Sequence, residues 1–331
     1  MSGWLASASM ESPDPTALAR VLGGGRIEHL RRLSGGASRE TWSFDLEGEG
    51  ASQGFVLRRD PGAHTGWSER ATEYTLFESA AAAGVPVPQV RALLGPDDGL
   101  GHGFIMERVE GESIPRRILR DELCAPALPL LAAQCGTVAA RIHAIDTAPL
   151  TKLPYQAVRN QIEQYRSTLD LFDEPHPALE LGLRWLADNA PPEPSPPVLV
   201  HGDFRNGNFI VGPEGIRAVL DWELAHIGHP VEDLGWLCVK SWRFGVVNKI
   251  VGGFGDVAPL LDAYEAESGV PVSQDALRYW IVFGTLKWGV ITIAQSFTHL
   301  TGAVRSVELA TLGRRVAEME WDLLGLLEGG L

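Results

Sequence analysis

The residues with the clearest chemical potential lie in the stretch HGDFRNGNFIV, residues 201–211. His201, Asp203 and Asn208 stand here in a polar segment between apolar segments that are typical of buried strands. Asp221 follows the next apolar segment along the chain. Imidazole, carboxylate and amide groups in such a loop can bind a metal ion or move a proton, or they can cap the turns of the loop itself.

Two short strands, 209–211 and 216–220, follow the polar segment and are joined by the four-residue turn GPEG. This pattern predicts a β-hairpin. In an antiparallel hairpin, the start of the first strand lies beside the end of the second. We therefore expect Asn208 and Asp221 to meet at one end of the hairpin, with Asp203 on the preceding loop at the same end.

The oxygens of one aspartate and one asparagine form an incomplete set of hard ligands. This set suits Mg²⁺, because the ion usually keeps water and phosphate oxygens as its remaining ligands. The sequence therefore predicts a magnesium site at Asn208 and Asp221. Zinc is not expected, since the nearest histidines lack a close pair at helical spacing. Asp203 would then be free to orient and deprotonate a hydroxyl group.

The elements before this loop predict a small β-rich domain. Strand character is found in segments 26–33, 39–46, 55–58 and 103–109, and a helix is predicted from Ser68 to about Ala83, before Gly84. The first 110 residues are therefore predicted to form a mostly antiparallel sheet with one inserted helix.

The rest of the chain has the pattern of a helical domain. Residues 115–190 are rich in Leu and Ala at helical spacing. From Pro230 to the end, four more helical segments are predicted, 230–240, 258–267, 274–297 and 302–328. A proline-rich connector, 191–197, precedes the polar loop. We predict two domains, 1–110 and 111–331, in an α+β fold whose larger, mainly helical lobe carries the hairpin.

Charge and composition narrow the range of partners. A net charge of −14 and a pI near 5.1 argue against nucleic-acid binding, which needs a basic surface. The three cysteines are widely spaced, form no metal-binding pair and indicate reduced thiols. No signal peptide and no membrane span is expected. We predict a cytoplasmic protein without a membrane partner, and the sequence leaves its oligomeric state open.

The motifs at 201–208 and 221–223 resemble the HGD-x4-N and D-x-D/E motifs of the aminoglycoside phosphotransferase and choline kinase-like family. The amino-acid sequences of these motifs are most similar to those of the acyl-CoA-dehydrogenase-associated bacterial branch of that family. Further matching segments follow in the family's order over about residues 26–300. The resemblance implies a bilobal protein-kinase-like fold, ATP and Mg²⁺ as cofactors, and a small-molecule hydroxyl as phosphoryl acceptor.

By this resemblance, Asp203 is the catalytic base for the acceptor hydroxyl, and Asn208 and Asp221 hold Mg²⁺. Arg205 would neutralise charge on the transferred group. Glu223 is a possible further carboxylate on the metal side or the substrate side.

Two residues are expected to support the loop rather than to react. His201 would hold the loop through backbone hydrogen bonds. Asp233, in the segment PVEDL, resembles the buried aspartate that braces the catalytic loop in the family.

The segment FVLRR at 55–59 resembles the third strand of the family, and Glu73 lies where the helix glutamate belongs. The family has a lysine where this chain has Arg58, and no lysine occurs anywhere in the small lobe. Strand alternation places Val56 and Arg58 on the face that would contact adenine and phosphate, while Arg59 faces away. Arg keeps the charge but presents a planar fork instead of a compact ammonium. Glu73, on an otherwise apolar helix face, is expected to pair with Arg58.

Two other segments are candidates for nucleotide contacts. The loop between the first two strands can direct backbone N–H groups toward phosphates, and its candidate residues are Ser34, Gly35, Gly36 and Ser38. The segment FIMERVEG, 104–111, resembles the hinge of the family. The carbonyl of Glu107 and the N–H of Val109 would contact adenine there.

The leading hypothesis is therefore an ATP-dependent kinase of a small-molecule hydroxyl. A nucleotide-binding pseudokinase without turnover and a metal-dependent hydrolase that uses the same carboxylates are the alternatives. The acceptor stays open between a hydroxyacyl compound, an aminoglycoside or other amino sugar, and a choline-like alcohol, as does the choice of ATP or GTP. Four late tryptophans indicate core packing or an aromatic wall for an apolar acceptor; they are Trp236, Trp242, Trp280 and Trp288.

Overall fold

In a computed structural model that describes residues 12–33, 40–48, 50–60 and 70–330, the chain divides into two units. The first unit contains the chain up to Gly111 together with a second segment, Arg217–Glu223. The second unit contains Glu112–Ile216 and the chain from Leu224 onward. The returning segment matters for the site, because it brings Asp221 into the first unit.

A five-stranded antiparallel sheet forms the centre of the first unit. Its strands are β1 (Arg26–Leu33), β2 (Glu40–Glu47), β3 (Gln53–Asp60), β4 (Val90–Leu93) and β5 (His102–Glu107), in the spatial order β1-β2-β3-β5-β4. Four of them confirm the strands predicted from the sequence. The sequence does not predict β4, because its four residues are too few to establish an alternating pattern.

Strand β3 lies between β2 and β5, and its alternating faces have different environments. Phe55 and Leu57 are 3% and 0% exposed and belong to an apolar core, in which Phe55 stacks on Phe44. Val56 and Arg58 therefore point to the opposite face of the sheet. This alternation is the one that the sequence predicts.

Two helices accompany the sheet in the first unit. Helix α1 (Pro15–Val21) begins at Asp14, whose side chain accepts a hydrogen bond from the Thr16 N–H. Helix α2 (Arg70–Ala82) buries an apolar face and ends before Gly84, which adopts a left-handed φ of 74°. The predicted start of this helix at Ser68 lies outside the described residues.

Helices dominate the second unit. They are α3 (Pro115–Ile118), α4 (Leu128–His143), α5 (Val158–Asp170), α6 (Pro177–Asp188), α7 (Val231–Cys238), α8 (Val257–Ser268), α9 (Gln274–Leu300), α10 (Val307–Leu312) and α11 (Val316–Leu327). Helix α7 packs closely on α9, since a Cβ atom at Gly235 would lie 2.4 Å from the Cβ of Trp280. None of the helices in the described ranges is both long and apolar enough to cross a membrane.

One long helix predicted over 302–328 is wrong as a single element. The structure has two helices, α10 and α11, separated by a 3₁₀ turn at Gly313–Arg315. Glycine is a weak helix former, and a Cβ atom at Gly313 would lie 2.7 Å from the Cβ of Ser296 on α9. The close approach of two segments explains both the glycine and the break.

Two pairs of short strands frame the polar loop. Strand β6 (Val198–Val200) pairs with β9 (His226–Gly228), and β7 (Phe209–Gly212) pairs with β8 (Gly215–Val219). The boundary between the two units falls within β8. The hairpin is therefore present, but its turn contains two residues instead of four, because both flanking glycines already belong to the strands.

Candidate active site

Arg58 lies at the centre of a cluster of charged side chains in the first unit. Its Nη1 atom lies 2.7 Å from Oε1 of Glu73, and its Nη2 atom lies 3.4 Å from Oδ1 of Asp221. The Glu73 side chain is fully buried, whereas that of Asp221 is 37% exposed. The ion pair expected between Arg58 and Glu73 is thus present. We call these residues, together with Arg70, the Arg58 cluster.

The structure places a second cation, Arg70, at Glu73, and the sequence does not predict it. Arg70 contacts the other carboxylate oxygen of Glu73, three residues along the same helix, and binds both carboxylate oxygens of Asp60. Burial acts to lower the pKa of Arg70, but Asp60 and Glu73 outweigh it and raise this pKa above its ordinary value. The i, i+3 spacing of Arg70 and Glu73 is a signal that could have identified this pair.

The neighbouring arginine points away from the cluster. Arg59 donates a hydrogen bond of 2.8 Å from Nε to Oε2 of Glu40 on β2. Its Nη1 atom also lies 3.3 Å from the carbonyl oxygen of Leu100. Val56, which shares the face of Arg58, is 8% exposed. Of the two neighbouring arginines, only Arg58 is therefore placed with Glu73 and Asp221.

The predicted hinge follows β5. The side chain of Glu107 accepts a hydrogen bond from Gln53 and is paired with Arg91, so it holds the end of the strand. The N–H of Val109 makes no hydrogen bond within the part of the chain that the structure describes. The phosphate-loop candidates Ser34, Gly35, Gly36 and Ser38 lie outside the described residues.

The polar loop of the second unit is anchored by a buried carboxylate on α7. Asp233 accepts hydrogen bonds of 2.8 and 2.9 Å from the N–H groups of His201 and Gly202. His143 lies 3.2 Å from the same carboxylate. Burial acts to raise the pKa of Asp233, but the interactions with His143 and His201 outweigh it and lower the pKa below its ordinary value. Asp233 is therefore an ionised anchor of the loop backbone.

The turn after His201 requires glycine. Gly202 has a φ of 80°, and a Cβ atom there would lie 2.3 Å from the carbonyl oxygen of Leu224. His201 in turn accepts a hydrogen bond at Nδ1 from the N–H of Asp203 and packs against Phe204. These contacts hold the backbone of the loop at Asp203.

Three side chains donate hydrogen bonds to the carboxylate of Asp203. Trp236 Nε1 and Arg205 Nε donate to Oδ1 at 2.7 and 2.9 Å, and Asn208 Nδ2 donates to Oδ2 at 2.6 Å. Asn208 also donates to the backbone carbonyl of Asp203. The Asp203 side chain is only 12% exposed, so these donors replace most of its water.

Beneath this loop lies a buried lysine. Lys287 on α9 donates to the carbonyl of Gly202 at 3.1 Å and lies 3.4 Å from Glu232 and 4.8 Å from the ring centre of Trp236. Burial acts to raise the pKa of Glu232, but His226 and Lys287 outweigh it and lower the pKa to about 2. We call Asp203 and the side chains that hold it, with Lys287, the Asp203 cluster.

Arg205 is fixed by a second contact. Its guanidinium carbon lies 4.3 Å from the ring centre of Trp242, in the geometry of a cation–π interaction. Trp242, Trp236 and Trp288 pack against one another, and the first two are 4% and 3% exposed. The late tryptophans Trp236 and Trp242 thus belong to the packed interior rather than to an exposed wall.

The predicted magnesium ligands belong to different units, Asn208 to the second and Asp221 to the first. Their meeting at the hairpin end stays a prediction, as does the role of Glu223, which lies in a 3₁₀ turn after Asp221. Across the described ranges, no group of three or more His, Cys, Asp or Glu side chains is arranged to hold a metal ion. A magnesium site with one carboxylate and one amide oxygen does not need such a group.

A groove of about 1190 Å³ opens on the second unit. Its lining includes exposed apolar side chains and four cationic ones, with two acidic ones; the charged residues are Arg116, Arg120, Lys240, Arg315, Glu318 and Asp322. One end of the groove lies beside the polar loop, since the lining residue Pro115 is the neighbour that a Cβ atom at Gly207 would meet at 3.3 Å. No local sequence pattern indicates this groove, because its lining comes from three separate segments, 114–120, 240–247 and 315–322.

Comparison with known proteins places the chain in a family. The family model described as a phosphotransferase enzyme family matches residues 29–269. Acyl-CoA dehydrogenase family member 11 of Gallus gallus is 31% identical and matches 89% of this chain but 40% of its own length. Family member 10 of Mus musculus is 28% identical and matches 88% of this chain and 29% of its own length. The chain thus spans less than half the length of these two relatives.

Solved structures give the same result for the fold. A candidate aminoglycoside phosphotransferase from Ralstonia eutropha is 26% identical, with a TM-score of 0.76 over 94% of this chain and 98% of its own. Aminoglycoside phosphotransferase APH(4)-Ia, solved with ADP and hygromycin B, has a TM-score of 0.60 over 96% and 98% of the chains at 18% identity, which supports the fold alone. The predicted α+β, protein-kinase-like fold is thereby confirmed. On the match of the family model, the chain belongs to the aminoglycoside phosphotransferase-type phosphotransferase enzyme family.

Proposed function

We propose that the protein transfers the γ-phosphoryl group of ATP to a hydroxyl group of a small molecule, with Asp203 as the catalytic base. The observation that carries the proposal is the Asp203 carboxylate itself. It is largely buried and oriented by three side-chain donors, in a chain that belongs to a phosphotransferase family. A carboxylate held in this way can accept a proton in one defined direction.

In the proposed reaction, the acceptor oxygen forms a bond to the γ-phosphorus while the bond from that phosphorus to the bridging oxygen breaks, and ADP leaves. The proton of the acceptor hydroxyl goes to Asp203. Arg205, which is held by Asp203 and Trp242, supplies positive charge for the transferred group. Phosphoryl transfer depends on such positioning and charge neutralisation more than on covalent chemistry.

The Arg58 cluster is proposed to bind the nucleotide. Arg58 would contact phosphate oxygens, while Glu73 fixes the direction of its guanidinium. Val56 would cover adenine, and the carbonyl of Glu107 and the N–H of Val109 would form its edge contacts. The Val109 N–H has no acceptor within the described ranges, which suits this role. Phosphate contacts from the loop with Ser34, Gly35, Gly36 and Ser38 remain part of the proposal.

The donor chemistry of the proposed magnesium ligands fits the ion. Asn208 uses its Nδ2 group to hold Asp203, and its Oδ1 atom accepts no hydrogen bond within the described part of the chain. Asp221 offers a partly exposed carboxylate. Mg²⁺ at these residues would neutralise the charge of the nucleotide phosphates. Glu223 is the candidate for a further carboxylate.

Nucleotide binding and product analysis separate this proposal from its alternatives. A kinase is stabilised by Mg-ATP, by about 2.7 kcal/mol at 100 times the dissociation constant, and forms ADP with a phosphorylated acceptor. A pseudokinase is stabilised but forms no product, and a metal-dependent hydrolase is not stabilised by the nucleotide. The control is Asp203→Asn, which should keep binding and lose product. The cytoplasmic location and the absence of nucleic-acid and membrane partners stay predictions.

The basic groove favours one class of acceptor. Arg116 and Arg120 form no ion pair within the described residues, whereas Lys240 is paired with Asp322 and Arg315 with Glu318. The lining therefore has an excess of positive charge on a chain whose net charge is −14. Of the acceptors that the sequence leaves open, aminoglycosides and choline-like alcohols are cations. A hydroxyacyl compound, as an acid or a thioester with anionic groups, is the acceptor that we propose.

The names of the relatives point in the same direction, since two of them are acyl-CoA dehydrogenase family members. The direct comparison is a set of acceptors tested with Mg-ATP: a hydroxy fatty acid, its coenzyme A thioester, an aminoglycoside and choline. We expect phosphorylation of one of the first two. Phosphorylation of the aminoglycoside or choline alone would reject the acceptor class while leaving the kinase assignment intact.

A further inference from the structure

A buried ion pair, Lys287 with Glu232, lies under the polar loop. Lys287 and Glu232 are 5% and 2% exposed, in a helical interior where an apolar pair would fill the same space. Glu232 is also held by His226 and Gln161, at 3.2 and 3.0 Å. A buried charge is costly unless it is paired and hydrogen-bonded, so the Lys287 ammonium depends on each of its contacts.

Lys287 makes one contact with the polar loop and one with Trp236 on α7. Its Nζ atom donates to the carbonyl of Gly202, which precedes Asp203 in the chain. It also lies over the ring of Trp236, at 4.8 Å from the ring centre. A cation over an indole face is attracted by the ring and draws electron density toward itself. The N–H group at the ring edge then becomes a stronger donor, as in other polarised hydrogen-bond chains.

That N–H group is the one that holds the candidate base. Trp236 Nε1 lies 2.7 Å from Oδ1 of Asp203, the shorter of the two hydrogen bonds to this oxygen. The Trp236 ring also makes edge contacts with Trp242 and Trp288, which restrict its rotation. The charge of Lys287 is thereby coupled to the orientation of the Asp203 carboxylate.

We propose that Lys287 and Trp236 are positioning residues that fix the Asp203 carboxylate so that its Oδ2 atom receives the acceptor proton. This inference rests on the proposed role of Asp203. Oδ1 already accepts two hydrogen bonds, from Trp236 and Arg205, and its acceptor capacity is filled. Oδ2 accepts one, from Asn208, and retains capacity for a second. The acceptor hydroxyl therefore approaches Oδ2.

The coupling is tested without turnover by the indole N–H signals of the full chain, observed by nuclear magnetic resonance. The chain has ten tryptophans, and Trp236→Phe identifies the Trp236 signal by removing it. We expect Asp203→Asn and Lys287→Met each to shift this signal and to speed its exchange with water. The other indole signals report whether the variants remain folded. A Trp236 signal that neither substitution moves, in folded variants, overturns the proposal.

Kinetics test the consequence for the base. Trp236→Phe keeps an aromatic ring over Lys287 but loses the donor, so kcat for phosphate release from Mg-ATP should fall by about 10- to 100-fold with KM for ATP unchanged, as for other lost supporting contacts. Trp288→Phe is the matched control: it packs on Trp236 but has no hydrogen bond to Asp203. Equal kcat values for Trp236→Phe and Trp288→Phe would contradict a positioning role.

The magnetic resonance and kinetic experiments together distinguish a failure of the proposed function from a failure of this inference. A wild-type protein that releases no phosphate and phosphorylates no acceptor contradicts the proposed function, and the indole signals then decide the coupling of Lys287, Trp236 and Asp203 independently. If the wild-type protein phosphorylates an acceptor but neither Asp203→Asn nor Lys287→Met shifts the Trp236 signal, the inference is contradicted. The proposed function is then unaffected.

Discussion

The Nη1 atom of Arg58 lies 2.7 Å from Oε1 of Glu73, and Arg70 contacts the other oxygen of the same buried carboxylate. Two arginines therefore share one glutamate. The guanidinium group of Arg58 is held by Glu73 at Nη1 and lies close to Asp221 at Nη2. The role of Arg58 as the phosphate cation, in place of the lysine of the family, stays a prediction that this ion pair is consistent with.

The first prediction concerns this arginine. Arg58→Met removes a charged partner of buried Glu73, and we expect the free energy of unfolding to fall by about 1.5–3 kcal/mol, because Arg70 still holds the carboxylate. The affinity for Mg-ADP should fall as well, since the phosphate cation is lost. Arg58→Lys restores the charge and should recover most of the affinity. Urea unfolding and calorimetric titration measure the two effects. Unchanged Mg-ADP affinity in Arg58→Met would remove Arg58 from the nucleotide site.

The second prediction concerns the turn before Asp203. Gly202→Ala introduces a side chain at a left-handed φ and 2.3 Å from a backbone oxygen. Gly99→Ala is the matched control, because Gly99 has a similar φ of 73° but nothing within 4 Å of the added Cβ. Both lose about 1–2 kcal/mol for the backbone conformation, and Gly202→Ala should lose about 1–3 kcal/mol more for the clash. Equal losses in thermal unfolding would show that the turn accommodates a side chain.

The third prediction concerns pH. Burial lowers the pKa of His229 from 6.5 to about 4, and the ring packs on Trp280. Because the folded pKa is depressed, the neutral ring favours folding above pH 6.5, and this contribution is lost as the pH falls toward 4. At pH 5 the loss should reach about 2 kcal/mol, from 1.36 kcal/mol per pH unit. His229→Asn keeps a short polar group without titrating. The stability gap between wild type and His229→Asn should narrow from pH 7 to pH 5, and a constant gap would contradict the buried neutral ring.

The fourth prediction concerns the groove. Replacing Arg116 and Arg120 by Ala should raise KM for a hydroxyacyl acceptor by about 10-fold or more, which corresponds to 1.4 kcal/mol, with KM for ATP unchanged. Arg117→Ala is the control, because Arg117 follows Arg116 on α3 but pairs with Glu112 and does not line the groove. If all three substitutions raise KM equally, segment 116–120 contributes only its positive charge and no specific acceptor contact.

Local patterns predict much of the first unit and of the polar loop. Strand alternation places Arg58 and Arg59 on opposite faces, and the observed partners, Glu73 and Glu40, agree with it. Helical spacing puts Glu73 on the buried face of α2. The spacing within the polar loop identifies Asp203 and Asn208, which the structure joins by a 2.6 Å hydrogen bond.

Local sequence patterns do not predict the contacts that Asp203 makes with residues outside the polar loop. Trp236 and Lys287 belong to apolar helices far along the chain, and nothing in their local sequence indicates a polar partner. One signal was available for Lys287. A lysine inside a helix as apolar as α9 must find a buried partner, and the sequence does not say which one. The sequence does not predict strands β4 and β9, because their four and three residues are too few to establish an alternating pattern on their own. The equally short strand β7 is predicted from the hairpin turn that follows it.

The measurement that tests the central claim most directly follows Asp203 through binding and transfer. Wild type and Asp203→Asn are compared for Mg-ADP affinity and for transfer of labelled phosphate from Mg-ATP to a hydroxyacyl acceptor. A catalytic base predicts equal affinities within about 2-fold and a rate at least about 100-fold lower in the variant, the lower end of the usual effect of general base catalysis. Transfer at the wild-type rate by a folded Asp203→Asn protein would contradict the account.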